Sequence, residues 1–146
     1  NNRKAGKIPV YGGNGITGYH NESFVDADTI IIGRVGEYCG SVHLTIEPSW
    51  ITDNALYVKE YKINVIPKYL LYALRKLNLN QYANRAGQPN ISQSSIAGIQ
   101  LILPSIKEQE QVVEKIKYHE GKIEEAQSYI DSTSNLKQAI LDKYLK

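Results

Sequence analysis

Three glycines near the start of the chain have the spacing of a phosphate-binding loop. Gly13, Gly15 and Gly18 form a G-x-G-x-x-G pattern after "KIPVY", a stretch that predicts a short strand. In a dinucleotide site such a loop opens a helix, whose N-terminal N–H groups bind the pyrophosphate. The residues after Gly18 lack apolar side chains at helical spacing. The sequence therefore argues against a nucleotide site.

Residues that commonly carry catalysis do not form a recognisable pattern. The histidines His20, His43 and His119 are far apart in the sequence, and none belongs to a metal-binding H-E-x-x-H motif. The sequence contains neither the G-x-S-x-G of serine hydrolases, nor a P-loop, nor the Asn-Pro-Pro-aromatic motif of DNA methyltransferases. Cys39 is the only cysteine, which excludes a disulfide within the chain and favours a reducing, cytoplasmic location. We predict no catalytic residue and no metal site.

Side chains suited to nucleic-acid recognition occur in three glycine-containing stretches, which we predict to be loops. Arginine can bind a guanine edge or a phosphate, while asparagine and glutamine can bind an adenine edge through two hydrogen bonds. The candidate DNA-binding residues are Lys7, Asn14, Thr17, Tyr19, Arg34, Tyr38, Arg85, Gln88 and Asn90. Among them Asn14, Tyr19, Gln88 and Asn90 are candidates for base edges, and Lys7, Arg34 and Arg85 for phosphates. The alternative is that these loops only form tight turns.

The elements that must position these loops are mainly short strands up to residue 58. The stretches "KIPVY", "TIIIGRV", "SVHLTI" and "NALYV" predict strands separated by glycine and Asn/Asp turns. Pro67 begins an amphipathic helix with an apolar face of leucines, and a polar loop covers residues 80–92. Ser92 is expected to cap a short helical turn, and "IQLIL" is expected to form a strand up to Pro104.

The chain from Ser105 onward predicts one long helix. Ser105 and Glu108 have the spacing of a capping box, and the residues that follow contain one glycine and no proline. Apolar residues recur at an imperfect heptad spacing, so we expect Val112, Ile116, Ile123, Ile130 and Ile140 to contact a partner helix. A helix of about 40 residues would be about 60 Å long. The alternative is a solvated helix that packs back on the preceding domain.

Charge and composition add a weak preference for a polyanion. The net charge is +2, and residues up to Pro104 contain 10 basic against 7 acidic side chains, compared with 7 against 8 from Ser105 onward. No apolar run approaches the roughly 18 residues that a membrane-spanning helix needs. The sequence contains no methionine, so we expect a trimmed start or a fragment.

Several segments together resemble one protein family. The stretches "GKIPVYGGNGITGYHN", "IIIGRVGEYCGSV", "ITDNALYV" and "QPNISQSSIAGIQLILPSIKEQEQVVEKI" resemble, in this order, the specificity subunit of type I restriction-modification enzymes. The most specific stretch is Leu103–Gln109, which is similar to the family's Leu-Pro-Pro-Leu-x-x-Gln turn before a long helix. Ser105 replaces the second proline of that turn.

The resemblance implies an α+β fold, with a β-rich DNA target recognition domain at residues 1–104 and a coiled-coil-type helix at residues 105–146. It implies a non-catalytic subunit or half-subunit that directs methyltransferase and restriction subunits to one half of a bipartite target, in a bacterial or archaeal cytoplasm. S-adenosylmethionine, ATP and Mg²⁺ are then expected on the partner subunits, and a homodimer through the helix is expected. A recognition domain from a single-chain restriction-modification enzyme, or a protein-interaction module that does not bind DNA, remains an alternative.

Overall fold

The computed structural model describes residues 6–145, which form two three-stranded sheets followed by helices. The strands are β1 (Ile8–Gly12), β2 (Gly15–His20), β3 (Ile30–Gly33), β4 (Val42–Leu44), β5 (Trp50–Ile51) and β6 (Ala55–Tyr57). The helices are α1 (Pro67–Leu77), a 3-10 turn (Leu79–Tyr82), α2 (Gln93–Ile96) and α3 (Ile106–Tyr144). One sheet has the strand order β2-β1-β5 and the other β4-β3-β6. The predicted α+β fold is confirmed.

The glycine motif forms a hairpin and does not open a helix. β1 and β2 pair in antiparallel fashion up to Gly12 and Gly15, with Gly13 and Asn14 in the turn between them. Gly15 has a φ of 95°, a conformation that hairpin loops commonly assign to glycine. The glycines therefore lack the following helix that a dinucleotide site requires. The prediction of a loop around these glycines was wrong for Gly15–His20, since pairing with β1 makes that segment a strand despite its glycines.

The central strand of the second sheet, β3, contributes side chains to both buried clusters of the core. Ile30 and Ile32 belong to the larger buried cluster, which includes Leu71 of α1, whereas Ile31 belongs to a cluster with Tyr11. This alternation follows from the strand period of two residues. The amphipathic helix is confirmed, because Leu71 is buried and Leu70, Leu74 and Leu77 pack against the same cluster.

The segment between α2 and α3 differs from the prediction. Ser92 caps α2 as expected, by accepting a hydrogen bond from the Ser95 N–H. The strand predicted for "IQLIL" is wrong, because residues 99–105 have no strand assignment. Ile102 is 92% exposed, and no ladder with another described segment holds this stretch. Apolar residues alone do not make a strand, because a strand also requires a neighbour to pair with.

The long helix begins at the predicted capping box. The Ser105 N–H donates to the Glu108 carboxylate at 2.9 Å, and the Glu108 N–H donates to the Ser105 hydroxyl at 3.4 Å. α3 has 39 residues, close to the predicted length. The chain divides into two compact units between Gln109 and Glu110, and we refer to the first unit as the head. In the described part of the chain no helix is long and apolar enough to cross a membrane.

Candidate nucleic-acid interface

Loop segments from four parts of the head meet beyond the end of β3. The Ser41 hydroxyl donates to the Gly13 carbonyl at 3.0 Å, and this bond attaches the hairpin turn. The Arg34 N–H donates to the Asn54 carbonyl at 2.9 Å, and the Arg34 carbonyl accepts from the Ile91 N–H at 2.7 Å. We call this region the loop edge; it consists of residues 13–14, 33–41, 52–54 and 84–91. Three of the predicted recognition stretches thus contribute to one region.

Arg34 lies at the centre of the loop edge. Besides its two backbone bonds, its guanidinium donates through Nη1 to the Asp53 carbonyl at 3.0 Å. Its Nε is buried and has no hydrogen-bond partner among the described residues. A guanidinium carries five N–H donors, so the bond to Asp53 leaves capacity for a second acceptor. Arg34 therefore holds the turn at Asp53 in place, and its predicted phosphate contact stays a prediction.

The loop that contains Gln88 is closed by its own backbone. Asn84 and Asn90 exchange backbone hydrogen bonds of 2.8 and 3.0 Å, so the residues between them form an exposed tip. The Asn90 side chain donates to the Gln88 carbonyl at 3.1 Å, which uses part of its amide within the loop. Gln88 and Arg85 are exposed. This arrangement leaves Gln88 the more accessible of the two predicted base-reading amides in this loop.

Tyr38 projects from the neighbouring loop of the same edge. Its side chain is 65% exposed, and a cavity of about 330 Å³ lies beside it, lined also by Arg75 and Asn80. Asn80 donates to the Glu37 carbonyl at 3.0 Å and to the Cys39 carbonyl at 2.8 Å. Exposed aromatic rings and arginine side chains both occur at nucleic-acid-binding surfaces, and the cavity beside Tyr38 is lined by one arginine, Arg75.

The remaining candidates lie along the first sheet, outside the loop edge. Thr17 and Tyr19 line a smaller cavity of about 190 Å³ with Trp50 and Thr52. The Thr17 hydroxyl donates to the Val10 carbonyl at 3.3 Å, and Tyr19 is 54% exposed. Lys7 precedes β1, whereas Asn14 follows it, so the two are separated by roughly 15 Å of strand. The structure does not group Lys7 with Asn14.

His43 lies under the hairpin and not in a catalytic arrangement. A side-chain carbon added to Gly15 would lie 3.4 Å from the His43 ring, so the ring packs against the start of β2. Burial, and secondarily the positive charge of Arg75, lowers the pKa of His43 below its usual value. Over residues 6–145 no three His, Cys, Asp or Glu side chains are grouped closely enough to hold a metal ion. The Nε2 atom of His43 is buried and has no hydrogen-bond partner among the described residues.

Sequence reasoning did not select the turn at Asp53 within the loop edge, nor Asn80 beside it. The turn at Asp53 and Asn54 follows a strand of two residues, which has no distinctive pattern. Asn80 follows α1 in a polar stretch that predicts only a loop. The side-chain bonds of Asn80 span about 40 residues of sequence, and local patterns carry no information about such pairs.

Comparisons with known proteins agree on one family. A family model described as type I restriction modification DNA specificity domain matches residues 1–130. The type I restriction enzyme EcoprrI specificity subunit of Escherichia coli is 35% identical over 102 residues, which make up 69% of this chain and 25% of that protein. This chain therefore spans about a quarter of that curated relative.

Two solved structures share the fold. The S subunit of the type I restriction-modification system from M. genitalium has a TM-score of 0.69 and 19% identity, over 94% of this chain and 38% of that chain. A second structure, from work on complex assembly and conformational transition of the type I R-M system, has a TM-score of 0.66 and 19% identity. The match covers 97% of this chain and 39% of that one.

The chain belongs to the family of type I restriction-modification DNA specificity domains. The resemblance inferred from the sequence is confirmed by this match. Its members provide DNA specificity, and the prediction that the chain is not itself an enzyme is confirmed by its membership.

Proposed function

We propose that the head reads one half of a bipartite DNA target for a type I restriction-modification system, through the loop edge. The observation that carries this proposal is the convergence of the 13–14 turn, the Arg34 segment and the 84–91 loop at the end of one strand. Phosphate contacts position a protein on DNA and base contacts specify the sequence. Arg34 and Arg85 supply the first kind, and Asn14, Gln88 and Asn90 supply the second.

The proposal extends to the residues beside the loop edge. Tyr38 stacks on or packs against the sugar-phosphate backbone, while Lys7, Thr17 and Tyr19 contact DNA from the first sheet. Supporting this, Tyr19 and Tyr38 are more than half exposed. Residues 1–104 then form the target recognition domain and residues 105–146 the partner-binding helix. The complex works in a bacterial or archaeal cytoplasm.

The helix is proposed to pair with a second copy of the chain and to bind methyltransferase subunits. Ile123, Ile130 and Ile140 are 68%, 55% and 51% exposed, and Val112 is 38% exposed. A row of exposed isoleucines at heptad spacing is stabilised when a second helix covers it. Ile116 belongs to the same proposed seam. S-adenosylmethionine, ATP and Mg²⁺ are proposed to act on the methyltransferase and restriction subunits.

Salt dependence of DNA binding tests the DNA-reading proposal. The full chain is titrated with a randomised double-stranded DNA library over a range of salt concentrations. Replacing Arg85 with alanine is expected to weaken binding to all sequences and to reduce the salt slope by about one unit. Lys59→Ala is the control, because Lys59 adjoins Val58, which bonds to Ile30 at the opposite end of β3. Equal slopes for both variants would refute the Arg85 contact, and no binding by the wild type would favour a protein-interaction module.

Light scattering tests the helix pairing. The double variant Ile123→Glu/Ile130→Glu is expected to convert a dimer into a monomer, because two charges would face each other in the seam. Ser128→Glu/Asn135→Glu adds the same charge seven residues apart at outward heptad positions and should leave the dimer intact. A wild-type monomer would refute homodimerisation.

A further inference from the structure

Asn80 joins two parts of the loop edge through one side chain. Its amide nitrogen donates to the carbonyls of Glu37 and Cys39, which flank Tyr38. Its amide oxygen accepts a hydrogen bond from Nη2 of Arg85. Because an amide has two donor hydrogens, these bonds use both of them while the oxygen holds the guanidinium.

Asn80 supports a loop that is also held by its own backbone, through bonds such as that from the Gly40 N–H to the Gly33 carbonyl. A cavity of about 330 Å³ lies beside residues 37–42, so packing does not enclose this stretch on every side. Gly40, on the same loop, approaches the Asn80 backbone so closely that an added side-chain carbon would lie 2.5 Å from the Asn80 nitrogen. Asn80 is itself half-buried in the 3-10 turn that follows α1, next to the buried Leu79. It therefore connects the exposed loops to the core.

We propose that Asn80 is a positioning residue for DNA recognition, which fixes the direction of the Arg85 guanidinium and the place of the Tyr38 loop relative to it. This inference rests on the proposed function. Arg85 is exposed, and a free arginine side chain loses rotamer entropy when it is immobilised on a ligand. The bond to Asn80 restricts Arg85 before DNA arrives and leaves its other N–H groups for a phosphate. Asn80 does not contact DNA in this arrangement.

A double-mutant cycle tests the coupling between Asn80 and Arg85. The full chain and its Asn80→Ala, Arg85→Ala and double variants are titrated with a randomised duplex DNA library at several salt concentrations. Asn80→Ala is expected to weaken binding roughly tenfold and to lower the salt slope by most of the unit that Arg85→Ala removes. In the Arg85→Ala background, Asn80→Ala should leave the slope unchanged. Additive effects on the slope would overturn the proposal.

Two further variants separate positioning from folding. Asn84→Ala removes a side-chain bond to the Ala86 N–H in the same loop without touching Arg85, and it should retain the wild-type slope. Asn80→Asp keeps an acceptor for Arg85 but replaces the donor that faces the Glu37 and Cys39 carbonyls. Its added negative charge beside Arg85 should lower the slope, and amide hydrogen exchange at residues 38–40 should become faster. Unchanged hydrogen exchange in Asn80→Asp, or loss of the slope in Asn84→Ala to the same extent as in Asn80→Ala, would overturn a direct role.

The outcomes distinguish this inference from the proposed function. Absence of DNA binding by the wild-type chain would refute both. A different result would refute only the role of Asn80: the wild-type chain binds DNA, Arg85→Ala reduces the salt slope, and Asn80→Ala leaves it unchanged.

Discussion

The head and the helical unit that begins at Glu110 differ in how far their isoleucines are buried. In the head, Ile30 and Ile31 are fully buried by pairing and packing between residues distant in sequence. In the helical unit, Ile123 and Ile130 are more than half exposed, and the regular hydrogen bonds of the helix are local. The head is thus stabilised by contacts within the chain, whereas these isoleucines of the helix are exposed.

Truncating a core isoleucine should give the largest difference in stability between the head and the helical unit. Ile31→Ala leaves a cavity in the head and is expected to lower its free energy of unfolding by about 2–5 kcal/mol. Ile123→Ala, on the exposed helix, should change it by less than about 0.5 kcal/mol. Urea unfolding followed by the fluorescence of Trp50, the only tryptophan, measures both. Equal losses would contradict the division into a self-stabilised head and an exposed helix.

Glycine substitutions should have opposite signs in the two regions. Gly40→Ala adds a carbon 2.5 Å from the Asn80 nitrogen at a φ of 88°. We therefore expect the free energy of unfolding to fall by more than the roughly 1–2 kcal/mol that backbone strain alone costs. Gly36→Ala isolates that strain, because its φ is 91° and no atom lies within 4 Å. Gly121→Ala, inside α3, should stabilise the helix by roughly 0.5–1 kcal/mol. Thermal unfolding by circular dichroism checks the order of the three.

The pH dependence of stability should also differ between the regions. Burial and the charge of Arg75 lower the pKa of His43, so the unfolded chain takes up a proton at higher pH than the folded head. Stability should therefore be complete above about pH 6.5 and decrease as the pH falls, by at most about 1.4 kcal/mol per pH unit. His43→Gln should flatten this slope in Trp50-monitored unfolding. His119→Gln, at an exposed site on α3, is the control and should retain the slope.

A modest effect is expected at the start of α3. Ser105→Ala removes the side-chain cap and is expected to cost about 1 kcal/mol of helix stability. The bonds from the Ser105 hydroxyl and then its N–H lower the pKa of Glu108, so the cap is complete above the carboxyl's ordinary pKa and is lost in more acidic solution. Circular dichroism against pH should show this loss in the wild type and less of it in Ser105→Ala. Ser128→Ala should behave as the wild type.

Local patterns predicted the elements that local chemistry determines. The proline and leucines of α1, the Ser92 cap and the capping box of α3 act within a few residues, so the sequence was sufficient for them. The strand Gly15–His20 was missed because its glycines favour turns, and only pairing with β1 overrides that preference. The strand expected before Pro104 failed because apolar alternation does not provide a pairing partner.

Residue type suggested candidate residues, but not how they are arranged. Arginine and amide side chains in glycine loops indicated Arg34, Arg85 and Gln88. Their convergence depends on bonds such as that between Ile91 and Arg34, across more than 50 residues of sequence. Asn80 had no distinguishing pattern, because the three partners of its side chain come together only in the folded chain.

The parallel pairing of β5 with β1 bears on how the chain reaches this fold. Val10 aligns with Trp50, so the first sheet is completed only after a loop of about 40 residues has closed. Helix formation is a microsecond process, whereas folding slows as contacts become more distant in sequence. In a refolding experiment we therefore expect helical circular dichroism to recover before the fluorescence of Trp50. The strand of two residues would then report a late step in the assembly of the head.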